Sequence, residues 1–213
     1  MDNVFDQVEK NIDNLVINNA DWTASATKEA LDSARKGNLV LSFYDKRVPD
    51  EWLSNIRGKK VLCLAGAGGL QAPLLACAGA DVTVVDISDK MLDKDRELAK
   101  SENLSIEIVK GNMCDLSQFS NDTFDMVINP PSLMYVPNLD VVFDEVYRVT
   151  KTGGEFIIMA PNPINYLCDW VEYGHTMEEY LGGLLKSGFV INGYKECQRE
   201  DITELMFMVK ARK

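Results

Sequence analysis

Apolar positions in the chain recur with two periods, and the change between them divides it. Over residues 3–18, Val4, Phe5, Val8, Ile12, Leu15 and Val16 fall at helical spacing and predict an amphipathic helix. Thr27 to Lys36 predicts a short helix ended by Gly37, and Pro49 to Ile56 predicts another, with Pro49 near its first turn. From residue 60 the pattern becomes short unbroken apolar runs bounded by glycine, as in strands buried on both faces. Lys60–Ala65, Asp81–Asp86, Ser105–Val109, Phe124–Ile128 and Glu155–Ala160 read as strands. Between them, Leu70–Ala78, a helix capped by Ser88 and running to about Glu102, and Asn138–Val149 read as helices. Lys151-Thr152-Gly153-Gly154 reads as a turn. Thr176-Met177-Glu178-Glu179 fits a capping box that opens a helix to about Lys186. Phe189–Tyr194 and Glu204–Lys210 read as two final strands, joined by a polar stretch and so expected to be antiparallel neighbours at one edge.

Strands alternating with helices predict a doubly wound α/β fold built on a mostly parallel sheet. At 213 residues, one domain is expected over 1–213, with an N-terminal helical cap or lid at 1–57 and a Rossmann-like core at 58–213.

Composition narrows the partners. Lys and Arg total 22 against 33 Asp and Glu, a net charge of −11. That field opposes phosphate backbones and anionic lipid, so neither nucleic acid nor a membrane surface is expected as a partner. No apolar run reaches the length of a membrane span. The opening Met1-Asp2-Asn3-Val4-Phe5-Asp6 is acidic where a secretory signal is basic, so a cytoplasmic location is expected. The five cysteines are odd in number and scattered, which suits reduced thiols. With His175 the single histidine, no metal site is expected.

The candidate chemistry sits where such folds bind ligands, beyond the carboxyl ends of the strands. Ala65-Gly66-Ala67-Gly68-Gly69 follows the first buried strand, so backbone can come close to a ligand there. Asp86 lies 20 residues beyond Gly66, at the end of the next strand, where a carboxylate can accept two hydrogen bonds from a ribose diol. Turn and acid together point to a nucleoside.

Five segments in order carry a family resemblance. They are Val61–Gly69; Val84-Val85-Asp86-Ile87-Ser88-Asp89-Lys90-Met91-Leu92; Lys110-Gly111-Asn112-Met113-Cys114-Asp115-Leu116; Phe124-Asp125-Met126-Val127-Ile128; and Phe143 to Gly154. Together they resemble the class I S-adenosylmethionine-dependent methyltransferases of the small-molecule (type 11) group, most strongly over residues 58–160. The resemblance implies a seven-stranded sheet with its last strand inserted antiparallel, and S-adenosylmethionine as cofactor. It further implies that Ala65, Gly66, Ala67 and Gly68 contact the methionine part and that Asp86 binds the ribose. Ile87 and Met91 would pack on the adenine, Asn112 and Met113 would meet its edge, and Asn129 would lie beside the methyl group. The sequence departs from the family pattern at Cys63, where an acid is usual, at Ala65 and Ala67, where glycines are usual, and at Asn112, where an aspartate is usual; the Asn112 amide oxygen can still accept from the adenine amine.

The implied activity is methyl transfer to a small-molecule acceptor by in-line displacement, with His175 and Tyr135 the candidates for a catalytic or substrate-contacting role. Trp22 and Tyr44 are further candidates for a substrate wall. Three alternatives share these features. A non-catalytic S-adenosylmethionine-binding protein would carry the same motifs. An amino-methyltransferase would act through Asn129-Pro130-Pro131, although Ser132 stands where that motif has an aromatic residue. An NAD-dependent oxidoreductase would share the turn and the acid, but it would call for a tighter glycine pattern and a catalytic pair that is not found. Neither the acceptor nor the oligomeric state is legible.

Overall fold

The computed structural model describes residues 2–18, 20, 23–43, 45–66, 68–163, 173–197 and 206–213. They group into two compact units, Met1–Met113 and Cys114–Lys213.

The first unit opens with α1 (Asp2–Ile17), which buries Val8, Ile12 and Val16 along one face, as the spacing predicts. α2 (Lys28–Arg35) starts at Thr27, whose hydroxyl accepts from Ala30 N at 3.3 Å. A two-residue hairpin, β1 (Ser42–Phe43) with β2 (Lys46–Arg47), follows and was not predicted. The helix expected over Pro49–Ile56 shrinks to a 3-10 turn at Asp50–Leu53. No side chain caps it, and Asn55 takes a left-handed conformation at φ 57° that stops any continuation.

Then come β3 (Lys60–Leu64), α3 (Gln71–Cys77), β4 (Asp81–Asp86), α4 (Asp89–Glu102) and β5 (Ile106–Lys110). β4 pairs in parallel with both β3 and β5. Val61, Leu62, Cys63 and Leu64 are fully buried, which is why this strand shows no polar alternation. Pro73 sits in the first turn of α3, where no backbone donor is needed. Ser88 caps α4 by accepting from Met91 N at 3.1 Å, and left-handed Asn103 ends it.

The second unit contains β6 (Phe124–Asn129), a 3-10 turn at Leu133–Tyr135, α5 (Leu139–Val149), β7 (Thr150–Pro161), α6 (Gly183–Lys186), β8 (Val190–Cys197) and β9 (Met206–Arg212). The turn expected at Lys151–Gly154 is absorbed into β7 instead. There Phe124 of β6 faces Thr150 while Met126 faces Glu155, so the extra residues form an irregularity within the strand. The capping box is present: Glu179 N donates to Thr176 Oγ1 at 3.1 Å, and Thr176 N donates to the Glu179 carboxylate at 2.7 Å. The helix it opens begins as a π-turn over Glu178–Gly182 before continuing as α6.

Seven strands form one sheet in the order β5-β4-β3-β6-β7-β9-β8. β9 is antiparallel to β7 on one side and to β8 on the other, as expected of the final pair. Its position between two strands explains the continuous burial of Met206 to Val209, whereas β8, at the edge, exposes Val190 and Tyr194. The architecture is the doubly wound, mostly parallel α/β sheet that the periodicity predicts. Among the described residues, no helix is long and apolar enough to cross a membrane.

Candidate functional site

In the first unit three chain segments meet at the carboxyl ends of β3, β4 and β5, and backbone bonds tie them together. Ala65 N donates to Val85 O at 2.8 Å, and Gly111 N donates to Asp86 O at 2.9 Å. Ala65–Gly69, Asp86–Ser88 and Gly111–Asn112 are therefore neighbours, although up to 47 residues separate them in the chain. This is the cluster expected from the glycine turn and the acid.

The turn is tightly determined. Ala65 is left-handed at φ 52°, an uncommon conformation for alanine, and Gly68 and Gly69 follow at φ 57° and 78°. A side chain at Gly68 would meet Met91 Sδ at 2.9 Å, and one at Gly69 would meet Ser25 Oγ at 2.7 Å. The N-terminal segment straps this turn from outside: Ala26 N donates to Gly69 O at 2.9 Å and Ser25 Oγ to Gly68 O at 3.3 Å. Lys94, on α4, reaches back to the Thr23 carbonyl. Directly after the turn, Gln71 is 1% exposed and its Oε1 has no hydrogen-bond partner among the described residues. A buried acceptor left unmatched costs about 1–3 kcal/mol, so it is a natural place for a ligand donor.

Asp86 is buried at the end of β4, and one carboxylate oxygen accepts from Ser88 N at 2.9 Å. Burial pushes its pKa up to about 7; the Ser88 and Ile87 N–H groups oppose the rise, and Asp13 of α1 adds to it. Asp13 also accepts from Ser88 Oγ at 2.5 Å, so α1 packs over the acid turn. A buried carboxylate held partly protonated has room for hydroxyl donors, which would stabilise its charged form.

Of the other predicted residues in this unit, Ile87, Asn112 and Met113 are half-buried. Met91 is buried with its sulfur against Gly68, packing under the turn. Ala67, Trp22 and Tyr44 lie outside the described residues.

In the second unit Asn129 ends β6, fully buried, and donates to Ser132 Oγ at 2.9 Å; Ser132 Oγ donates to Pro130 O at 3.1 Å. The Asn129-Pro130-Pro131-Ser132 segment thus closes a turn with its own polar groups. Tyr135 is half-buried in the following 3-10 turn. His175 is 3% exposed, with Nε2 at 2.8 Å from Val136 O and Nδ1 at 3.7 Å from the Glu179 carboxylate. A carbonyl can only accept, so Nε2 carries the proton in this contact. Tyr173 N donates to Met134 O at 2.9 Å, a second tie to the same turn.

Sequence reasoning missed Asp13, Ser25, Gln71 and Asp95. Only Asp95 left a readable signal: it stands three residues after Leu92 and four after Met91, on the face of α4 that the core claims.

A methyltransferase-domain family model matches residues 62–158. Across most of its length the chain is also similar to the uncharacterized methyltransferase YbaJ of Bacillus subtilis (strain 168), at 35% identity covering 83% of this chain and 84% of that protein. The chain belongs to the class I S-adenosylmethionine-dependent methyltransferases. A more distant similarity, 29% over 152 residues, links it to the ubiquinone biosynthesis O-methyltransferase of Pseudomonas syringae pv. tomato; it covers 70% of this chain and 61% of that protein. Among solved structures, the S-adenosylmethionine dependent methyltransferase from Mesorhizobium loti shares the fold, with a TM-score of 0.67 at 21% identity over 77% of this chain and 95% of that one. The methyltransferase cofactor is S-adenosylmethionine. The residues present fit it: a buried carboxylate suited to a sugar diol and the orphaned Gln71 oxygen.

Proposed function

We propose that this methyltransferase holds S-adenosylmethionine on its first unit and transfers the methyl group to a small-molecule acceptor. The observation that carries the reading is Asp86: a buried carboxylate with a raised pKa, placed by a backbone bond next to the Gly111–Asn112 segment and one strand from the glycine turn. Asp86 accepts from the ribose hydroxyls. Ala65, Gly66 and Gly68 let the backbone approach the methionine part, Asn112 and Met113 meet the adenine edge, and Ile87 covers its face.

S-adenosylmethionine supplies a methyl group on a sulfonium, already a good leaving group, so the chain's own work is binding, alignment and exclusion of water. His175, through its bond to Val136 O, sets the Leu133–Val136 turn, and Tyr135 is carried on it. The acceptor is a small molecule and not a nucleic acid, a reading supported by the net charge of −11. The location is cytoplasmic, in keeping with Cys63, Cys77, Cys114 and Cys197 standing outside any disulfide among the described residues.

Calorimetric titration with S-adenosylhomocysteine tests the cofactor site. Asp86→Ala is expected to weaken binding at least about tenfold, the loss of a charge-assisted hydrogen-bond pair; unchanged affinity discards the ribose role. Incubation with S-adenosylmethionine and pools of small metabolites should yield S-adenosylhomocysteine, and a persistent failure to do so favours a binding protein without turnover.

A further inference from the structure

We propose that Asp95, on α4, is the positioning residue of the glycine turn, and that its carboxylate sets the Gly69 peptide and with it the cradle for S-adenosylmethionine. The proposal rests on the cofactor reading above and names a residue which that reading does not use. Asp95 is 1% exposed, and Gly69 N donates to its Oδ1 at 3.0 Å, across 26 residues of chain. An acid on the buried face of a helix is costly, and a well-packed apolar residue there would stabilise the helix more. Its presence calls for a role that an apolar side chain cannot fill.

The turn needs such a role filled. Left-handed residues at 65, 68 and 69 give a backbone that local preference does not determine. Gly69 is gripped at both ends of its polar backbone: its N–H by Asp95 from inside, its C=O by Ala26 N from the N-terminal strap. Asp95 also lies within electrostatic reach of Cys63 at the end of β3, where its charge adds to the burial that raises that thiol's pKa. The family pattern has an acid at position 63; in this chain the carboxylate approaches from α4 instead. Burial also raises the Asp95 pKa to about 7, with the Gly69 bond and Arg96 opposing the rise and Asp86 adding to it.

The test pairs Asp95→Ala with Asp95→Asn, which keeps the size and an acceptor oxygen. The probes are S-adenosylhomocysteine affinity by calorimetry, well below the melting transition, and hydrogen exchange of the Gly69 amide. Asp95→Ala should bind at least about tenfold more weakly and lose Gly69 protection, whereas Asp95→Asn should stay within about threefold of wild type and keep protection. A merely structural acid would lower the melting temperature in Asp95→Ala and leave the affinity alone. Unchanged affinity in a folded Asp95→Ala overturns the proposal, as does a loss in Asp95→Asn equal to that in Asp95→Ala. Should wild type itself fail to bind the probe, the cofactor reading falls, and Gly69 exchange still decides whether Asp95 sets the turn.

Discussion

The two compact units handle their inward carboxylates in opposite ways. In Cys114–Lys213 the Glu145 carboxylate is matched by a cation of the same unit. Arg148 donates to Phe119 O at 2.8 Å, to Leu116 O at 2.9 Å and to both oxygens of Glu145 at 2.8 and 2.9 Å. Arg148 holds the Glu145 carboxyl below its ordinary range. His175 Nε2, Asn129 Nδ2 and Ser132 Oγ each bond within the same unit. In Met1–Met113 two carboxylates, Asp86 and Asp95, are buried facing backbone donors, with no ion pair to either among the described residues, and are pushed up to about 7. A matched network builds a scaffold. Sealed carboxylates facing backbone donors mark a place prepared for a ligand or held for one.

The strongest way to break the comparison is Gly69→Ala. The substitution imposes a side chain on a left-handed residue and drives it into Ser25. We expect a loss of about 2 kcal/mol in stability and at least about tenfold in S-adenosylhomocysteine affinity, measured by thermal melting and calorimetry. Arg148→Ala should do the reverse. It takes a donor from the Phe119 and Leu116 carbonyls and the cation from a half-buried carboxylate, so about 2 kcal/mol of stability is expected to go, a fall of roughly 4–8 °C in melting temperature. Affinity for the probe should stay within about twofold, because the scaffold and not the ligand cradle is damaged.

The smallest and most diagnostic effect is in pH. Folding raises the pKa of Asp86 and of Asp95 from 3.8 to about 7, so the folded chain binds more protons than the unfolded one across that window. Their shared contribution to stability is present at the acid end and is lost as pH climbs through 7. The ligand-free protein should therefore melt higher at pH 6 than at pH 8, by about 1 kcal/mol for each carboxylate. Asp95→Asn should remove about half of that slope. A slope left intact would mean that Asp95 does not titrate in this range.

Much of the fold was legible because its signals are local. Ser88 and Asn138 cap their helices, the capping box at Thr176 forms, and the unbroken apolar strands take buried places. The short helix at Pro49 and the turn at Lys151 were misread, since a 3-10 turn and an irregular strand present the same proline and glycine signals. The candidate site was legible in part. Glycine turn and Asp86 share one strand-helix-strand unit, so spacing alone relates them. Residues 164–172 lie outside the described residues.

Read by itself, the chain's order of apolar runs, caps and glycines determined the strand-helix alternation, the parallel sheet and the placing of an acid at the end of its second core strand. Tertiary structure decided the partners of that machinery: Asp95 on Gly69, Asp13 on Ser88 from 75 residues away, and His175 on Val136 from 39. The reason is physical. Periodicity and capping are properties of a few adjacent residues, whereas a hydrogen bond between distant segments leaves no local trace until packing brings donor and acceptor together.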